Sequence, residues 1–262
     1  MIIFVHIPKT GGQTFEDYLG RIFGSENILL DYGNKLFLAS ERGKHSLPLA
    51  PGLKAKAKSI IRQSRLGQRA LRQYRNLAPK PQTLNNIPAN IECIQGHFSA
   101  DKYADQYPKA KYITWIREPA QRLMSHWLYW KRIMIEFPNS VPSWFSQKMS
   151  FKDFALSREM QNYQSKYLGS KELKSFDFVG ITEQYDQSIR LFNQCFGIDQ
   201  QIKPENRNRN PERPREGYEI EEELKRQIAE FHQKDYELYF QAQGLFQERM
   251  TEIQTEGKPP II

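Results

Sequence analysis

Short runs of apolar residues alternate along this chain with longer segments in which apolar positions recur every three or four residues. The short runs predict buried strands, because they are brief and rich in β-branched or aromatic side chains. These strands cover residues 1–5, 91–95, 111–116 and 176–181. From Gln13 onward the spacing is helical. Strands that alternate with helices predict an α/β fold with three layers, in which a mostly parallel sheet is flanked by helices.

Helical spacing also follows the later strands, while other stretches have the composition of loops. The further predicted helices cover about residues 119–134, 151–168, 183–196 and the region from 218 onward. Residues 24–50 and 203–216 are rich in glycine, proline or asparagine, and therefore predict loops. A chain of 262 residues is long enough for one sizeable core, and we expect a single domain over residues 1–262.

The positive charge of the chain is concentrated in one segment. The net charge is +8, but residues 42–91 contain eleven Lys or Arg and no Asp or Glu. Residues 53–77 predict an amphipathic helix whose basic face consists of Arg62, Arg65, Arg69 and Arg72. We therefore expect a basic insertion at about residues 34–88 that acts as a lid, or as a docking element for an acidic substrate or an anionic membrane. A solvated charged helix is the alternative.

Cysteine usage and hydropathy bear on the location of the protein. Cys93 and Cys195 lack the spacing of metal ligands and lie beside apolar runs, which indicates buried free thiols and a reducing compartment. No stretch approaches the ~20 apolar residues of a membrane span. The first predicted strand begins at residue 2 and leaves no room for a signal peptide or an anchor. We therefore expect a cytoplasmic protein without a transmembrane segment.

The turn between the first strand and the first helix has the composition of a phosphate cradle. Pro8 ends the strand, two glycines let backbone N–H groups approach an anion, and the helix N-terminus adds its dipole. The candidate phosphate-binding residues are Lys9, Thr10, Gly11, Gly12, Gln13 and Thr14. An ordinary turn between a strand and a helix is the alternative, because Gly and Thr are common there.

The order of residues separates this P-loop-like turn from the loop that binds nucleoside triphosphates. That motif places its lysine after the glycines, whereas Lys9 precedes Gly11 and Gly12. Residues 6–12, His-Ile-Pro-Lys-Thr-Gly-Gly, instead resemble the 5′-phosphosulfate loop of sulfotransferases, most closely the carbohydrate branch that is similar to heparan sulfate 2-O-sulfotransferase. The resemblance implies 3′-phosphoadenosine 5′-phosphosulfate as the donor. Gln13 departs from the branch, which usually has Ser or Thr there.

A second match lies where the third predicted strand meets its helix. Residues 117–125, Arg-Glu-Pro-Ala-Gln-Arg-Leu-Met-Ser, resemble the family pattern R-[DE]-P-x-x-R-x-x-S. The resemblance implies that Arg117 and Ser125 hold the 3′-phosphate of the donor. Arg117 leaves the end of a strand, where ligands lie in open α/β sheets, and its guanidinium suits a bidentate phosphate contact. Arg122 fits an internal ion pair as well as it fits binding.

His97 and Lys9 are the candidate catalytic residues. Gly96-His97 resembles the Gly-His element of the family, in which the histidine is the base, and histidine suits proton removal near neutral pH. Lys9 would stabilise the negative charge that grows on the bridging phosphate oxygen as the S–O bond breaks. His6 is expected to be structural. No residues have metal-ligand spacing, and we expect no metal.

Three later stretches extend the resemblance to about residue 246. They match N-x-Q-[ST]-[RK]-x-L at residues 162–168, F-V-G-L-T-E at 178–183 and D-x-x-L-Y…F at 235–246. Residues 203–213 are a candidate for adenine contacts. The resemblance implies a sulfotransferase fold and an enzyme that transfers a sulfuryl group to a hydroxyl of a carbohydrate or glycolipid.

Two alternatives belong to other classes of protein. An ATP-dependent small-molecule kinase would explain a phosphate cradle, but the position of Lys9 and the lack of an evident magnesium-binding Asp after a strand count against it. A non-enzymatic protein that binds nucleic acid or an anionic surface would explain the basic residues 42–80, but not the two phosphate motifs. We therefore expect no specific nucleic-acid partner.

Overall fold

The computed structural model describes residues 1–32, 35–42, 86–137, 140–198 and 217–256. Within these ranges, six strands form one sheet. The strands are β1 (Ile2–Val5), β2 (Ile28–Tyr32), β3 (Lys35–Leu38), β4 (Cys93–Gly96), β5 (Lys111–Ile116) and β6 (Phe178–Ile181). The predicted helix at 53–77 with its arginine face, and the predicted loop at 203–216, lie outside the described residues.

Helices of very different length connect and flank the strands. The α-helices are α1 (Gly12–Phe23), α2 (Ala39–Arg42), α3 (Pro119–Glu136), α4 (Phe151–Ala155), α5 (Ser165–Leu168), α6 (Tyr185–Phe196), α7 (Glu222–Phe231) and α8 (Gln233–Glu256). Pro119 occupies the first position of α3, where the missing N–H costs nothing. None of the helices in the described ranges combines the length and the apolar composition that a membrane crossing requires.

The order of strands in the sheet is β3-β2-β4-β1-β5-β6. β3 pairs antiparallel with β2, and the other neighbouring pairs are parallel. The prediction of an α/β fold with a mostly parallel sheet is therefore confirmed. After β1 the chain continues to β2 on one side of β1, whereas β5 and β6 lie on the other side. Ligands of open α/β sheets bind where the strand order reverses in this way, at the carboxyl ends of the strands.

The prediction of a loop over residues 24–50 is wrong for residues 28–32 and 35–42, which form β2, β3 and α2. Ile28, Leu29 and Leu30 are fully buried, and β2 pairs with β3 and β4. This apolar run is only three residues long, so the glycines and the proline around it dominated the local pattern. Lys35–Leu38, which the prediction assigned to the basic insertion, is therefore part of the sheet.

Two clusters of apolar side chains form the interior. The larger cluster surrounds the sheet, where Phe15 of α1 contacts Trp115 of β5 and Phe192 of α6 at centroid distances of 5.1 and 5.0 Å. Cys93 and Cys195 are buried and free, as predicted. The smaller cluster joins α3, α4 and α7 beyond the carboxyl end of β5. The candidate residues at that end of the sheet are therefore supported by two separate cores.

Residues 151–168 do not form the single helix that their spacing predicts. The structure has α4 and α5 with a turn between them, and Asn162 in that turn has a φ of 48°. A left-handed backbone is unfavourable for a residue other than glycine, and it interrupts a helix. Contacts from the junction of α7 and α8 hold the turn in this conformation, and such tertiary contacts leave no trace in local periodicity.

Candidate functional site

Four parallel strands end at the same edge of the sheet, and a polar residue follows each of them. β1 leads into Lys9, β4 into His97, β5 into Arg117 and β6 into Glu183. Parallel strands bring their carboxyl ends together, so residues that are far apart in sequence meet at this edge. The structure therefore brings three of the predicted site residues, Lys9, His97 and Arg117, to one edge of the sheet.

The turn between β1 and α1 keeps backbone donors available for a ligand. Lys9 and Gly11 both have a left-handed backbone, with φ of 74° and 92°. Such conformations turn neighbouring N–H groups toward one side and form an anion-binding concavity. Gly11 is the N-cap of α1, no side chain caps the helix, and its first turn has no acidic residue. An uncapped helix N-terminus beside a lysine fits a phosphate group.

Gly12 is required because His6 lies directly against it. A Cβ at Gly12 would overlap the imidazole ring of His6. His6 is buried, and its Nδ1 lies 3.2 Å from the Tyr32 hydroxyl. That hydroxyl donates to Glu16 at 3.1 Å, so Nδ1 of His6 is the donor in the other pair. These contacts give His6 the structural role that the sequence predicts, as a support of the turn.

The hydroxyl of Thr10 has a hydrogen-bond partner within the turn itself. Thr10 is fully buried, and its hydroxyl donates to the carbonyl of Ile7 at 2.9 Å. Its backbone N–H remains for a role in anion binding. The carbonyl of Thr10 accepts from the hydroxyl of Thr182 at 2.7 Å, which ties the turn to the end of β6. Gln13 is exposed and Thr14 is half-buried in the first turn of α1.

Arg117 contacts the phosphate cradle directly. Its Nη1 donates to the carbonyl of Lys9 at 3.1 Å, and its Nε lies 3.6 Å from the Glu183 carboxylate. The ring of Tyr218 lies 5.9 Å from the guanidinium. Burial raises the pKa of Glu183, and the charge of Arg117 opposes that rise. Ser125 is half-buried on α3, about two turns beyond Arg117. Glu183 and Tyr218 have no predicted role.

The ammonium of Lys9 lies over the ring of Tyr129, 4.3 Å from its centroid. Burial, together with the positive charges of Arg117 and Arg132, lowers the pKa of Lys9 to about 8. A bound anion would oppose all three positive charges and favour the charged lysine. The sequence prediction missed Tyr129 and Arg132, although they lie four and seven residues after Ser125 and therefore share one helical face with it.

His97 lies at the open edge of the site. Gly96 is necessary before it, because a Cβ there would overlap the carbonyl of Asp31. The backbone N–H of His97 donates to that same carbonyl at 3.1 Å. The exposed imidazole lies 4.7 Å, between ring centroids, from both His6 and Tyr32. The candidate base therefore rests on the side chains that support the phosphate cradle.

Arg122 is part of the helical core rather than of the anion site. It is fully buried, its Nη1 donates to Nδ1 of His126 at 3.2 Å, and its guanidinium lies 4.7 Å from the ring of Tyr163. Burial lowers the pKa of His126 well below its ordinary value, and the charges of Arg122, Lys9 and His97 add to this effect. His126 is therefore neutral and accepts from Arg122. The sequence prediction did not name His126, although it lies four residues after Arg122 on the same helical face.

One of three comparisons with known proteins shows the family of the chain. Among solved structures, the crystal structure of a sulfotransferase from Alicyclobacillus acidocaldarius is similar with 16% identity and a TM-score of 0.44, over 89% of this chain and 91% of that chain. A comparison with curated protein sequences gives no significant match. The profile described as "Sulfotransferase family" matches residues 1–241. Because this match spans most of the 262 residues, the chain belongs to the sulfotransferase family.

Proposed function

We propose that this protein transfers the sulfuryl group of 3′-phosphoadenosine 5′-phosphosulfate to a hydroxyl group of a carbohydrate or glycolipid. The observation that best supports this proposal is the hydrogen bond from Arg117 to the carbonyl of Lys9, at 3.1 Å. It joins the two segments that the sequence assigns to the two phosphate groups of one nucleotide. Membership in the sulfotransferase family supports sulfuryl transfer in general.

The two phosphate positions of the donor would be held in different ways. The 5′ side would lie at the uncapped N-terminus of α1, against the backbone N–H groups of residues 10–12 and the Lys9 ammonium. The 3′-phosphate would pair with the guanidinium of Arg117, and the hydroxyl of Ser125 would add a donor. The charge of Arg132 near Lys9 favours a ligand with several negative charges at this position.

The donor supplies the sulfuryl group together with a phosphate leaving group. His97 would take the proton of the acceptor hydroxyl as its oxygen forms the new O–S bond. Lys9 would stabilise the negative charge on the bridging phosphate oxygen as the old S–O bond breaks. Both side chains follow parallel strands that end at the same edge of the sheet, which suits an attack on one side of the sulfur and departure on the other.

The acceptor class and the location are the finer parts of the proposal. The likeness of the phosphate motifs to the carbohydrate branch supports a carbohydrate or glycolipid hydroxyl. The two free, buried cysteines support a reducing, cytoplasmic compartment. The basic residues 42–80, of which all but Arg42 lie outside the described residues, would bring an acidic glycan or the anionic surface around a lipid-linked acceptor to the site.

Nucleotide binding is the first test of the proposal. Calorimetry should give higher affinity for adenosine 3′,5′-bisphosphate than for adenosine 5′-monophosphate or for ATP with magnesium. In Arg117→Ala the bisphosphate should lose about 1.5–3 kcal/mol of binding free energy, the usual worth of hydrogen bonds to charged groups. A protein that prefers ATP, or that binds duplex nucleic acid and ignores the bisphosphate, would support one of the alternative classes instead.

Turnover with labelled donor, against glycans and lipids extracted from the host, tests the chemistry. His97→Ala should lower turnover by about 10²–10⁴-fold, the range for general acid–base catalysis. The same variant should bind adenosine 3′,5′-bisphosphate with nearly unchanged affinity, which serves as the control for folding. If the variant turned over at the wild-type rate between pH 6 and 9, the proton would leave by a route other than His97.

A further inference from the structure

Gln164 makes a pair of hydrogen bonds with the backbone of Arg117. Its Oε1 accepts from the N–H of Arg117 at 3.1 Å, and its Nε2 donates to the Arg117 carbonyl at 2.8 Å. The ladder between β5 and β6 ends one residue earlier, at Ile116 and Ile181. The amide of Gln164 therefore takes the place of a neighbouring strand at the first residue beyond β5. Gln164 is 0% exposed, so water does not compete for these bonds.

Asp235 at the start of α8 fixes Gln164 in turn. Its Oδ2 accepts from the backbone N–H of Gln164 at 3.0 Å, and its Oδ1 accepts from the N–H and the hydroxyl of Ser165 at 2.8 and 2.7 Å. Asp235 is fully buried. A buried carboxylate with three donors forms strong, directional hydrogen bonds, which sets the position of the backbone from which the Gln164 side chain extends.

His232 holds the other part of the same turn. Its Nδ1 accepts from the backbone N–H of Asn162 at 3.1 Å, so its Nε2 carries the proton and donates to the carbonyl of Ala155 at 2.7 Å. These bonds compensate for the left-handed backbone of Asn162, whose φ is 48°. The junction of α7 and α8 thus fixes the whole turn between α4 and α5.

We infer that Gln164 is a positioning residue for Arg117, and that Asp235 acts on Arg117 through Gln164. The inference rests on the proposed function, in which Arg117 binds the 3′-phosphate of the donor. The amide of Gln164 is used by the Arg117 backbone, so Gln164 does not contact the nucleotide. Without that amide, Arg117 keeps its charge but its backbone is held less firmly. The 3′-phosphate then loses affinity, while the 5′ side, held by α1 and Lys9, does not.

The contribution of the 3′-phosphate is the difference in affinity between adenosine 3′,5′-bisphosphate and adenosine 5′-monophosphate, measured by calorimetry. Gln164→Met keeps the side-chain size and removes both hydrogen bonds. Its affinity for the bisphosphate should fall about tenfold, and its affinity for the monophosphate should change less than about twofold. Gln161→Met is the matched control, because Gln161 lies in the same turn but donates to the carbonyl of Phe231 at 3.3 Å. Its preference for the bisphosphate should match that of the wild type.

A double-variant cycle separates positioning from a loss of stability. In the Arg117→Ala background, adding Gln164→Met should cause no further loss of bisphosphate affinity. If Gln164→Met does not fold, Asp235→Asn replaces it, because it weakens the hold on Gln164 without touching Arg117. A folded Gln164→Met or Asp235→Asn protein that keeps the wild-type preference would overturn the inference alone. A wild-type protein with no preference for the bisphosphate would overturn the proposed function.

Discussion

Two turns from strand to helix contain the candidate anion sites, and they differ in whether a side chain of the protein caps the backbone N–H groups of the helix. Between β1 and α1, Gly11 is the N-cap and no side chain caps the helix. Between β5 and α3, Glu118 is the N-cap, and its carboxylate accepts from the N–H of Gln121 and from the hydroxyl of Tyr236, both at 2.6 Å. The same topology therefore leaves one helix end open to a ligand and closes the other.

This difference shows that topology supplies the place of an anion site but not the way in which the anion is held. At α1 the open backbone donors and Lys9 suit a phosphate, so binding depends on the shape of the turn. At α3 the carboxylate of Glu118 already occupies the helix end and would repel an anion. Anion binding at this second turn depends on the side chain of Arg117 and on the contacts that fix the orientation of that side chain. Substitutions at the two turns should therefore have different signatures.

Among substitutions at the two turns, the largest effect should come from Lys9, the side chain of the open turn that takes part in the proposed chemistry. Lys9→Ala should lower kcat by about 10²–10³-fold, the usual cost of losing a donor to charge that develops in the transition state. Lys9→Gly should lower kcat to a similar extent. Glycine adopts the φ of 74° without strain, so Lys9→Gly should be about 1 kcal/mol more stable than Lys9→Ala.

Turnover with labelled donor and denaturant unfolding measure these two properties separately. Lys9→Gly with the wild-type rate would remove Lys9 from the mechanism. If Lys9→Gly were less stable than Lys9→Ala, the left-handed backbone at Lys9 would not be strained. The glycines alone would then determine the conformation of the open turn.

A methyl group at Gly12 should damage the open turn without changing any charge. The new Cβ would overlap the ring of His6, so we expect Gly12→Ala to destabilise the protein by about 1–3 kcal/mol. It should weaken adenosine 3′,5′-bisphosphate and adenosine 5′-monophosphate by the same factor, because both carry the 5′-phosphate. Gly20→Ala in the same helix is the control. Nothing lies within 4 Å of a Cβ there, and it should stabilise the helix by up to about 1 kcal/mol.

Denaturant unfolding and calorimetry on the two glycine variants provide the comparison. A Gly12→Ala protein that lost affinity for the bisphosphate but kept its affinity for the monophosphate would place the 3′-phosphate, rather than the 5′-phosphate, at the N-terminus of α1.

Nucleotide binding at the open turn should depend on pH near 8, whereas the contribution of Arg117 at the closed turn should not. The pKa of Lys9 is about 8 in the free protein, so the ammonium is lost as the pH rises through that value. A bound anion favours the ammonium and raises its pKa, so binding above pH 8 should take up about one proton. Affinity for both nucleotides should then fall by up to about tenfold per pH unit. The Arg117 guanidinium stays charged throughout.

Calorimetry in buffers with different ionisation enthalpies measures this proton uptake directly. Lys9→Ala is the control and should abolish it. Uptake at pH 9 that persists in Lys9→Ala would belong to another group.

The sequence predicts where in the fold three candidate residues lie, because Lys9, His97 and Arg117 each come shortly after a strand. Each of these three residues can be located from the sequence, because a short apolar run precedes it and a glycine or proline near it marks the end of that run. The directions of side chains are not recognisable in the same way. The hydroxyl of Thr10 turns into the core, and Tyr129 lies against Lys9, for reasons that depend on the assembled sheet.

The errors in the predicted fold have the same origin. Residues 28–30 are apolar but few, and only their place between β3 and β4 makes them a central strand. The turn at Asn162 exists because His232 and Asp235, about seventy residues later, supply its hydrogen bonds. Local periodicity records the face that a segment buries, but it does not record partners that arrive from elsewhere in the chain.

The smallest effect should come from the closed turn, through Tyr236. Burial and the carboxylate of Glu118 raise the pKa of Tyr236, so its hydroxyl remains a donor at any ordinary pH. Tyr236→Phe removes one hydrogen bond to Glu118 and leaves the bond from Gln121, so the free energy of unfolding should fall by about 1 kcal/mol. The affinities for both nucleotides should stay within about twofold, since the Glu118 carboxylate stays at this helix end, keeps the N–H of Gln121 and repels an anion. Gln164→Met, which acts on Arg117 from the other side, is the natural comparison in the same calorimetric series. If Tyr236→Phe reduced the preference for the 3′-phosphate as much as Gln164→Met does, the capped end of α3 would itself take part in binding, and the division between an open and a closed turn would fail.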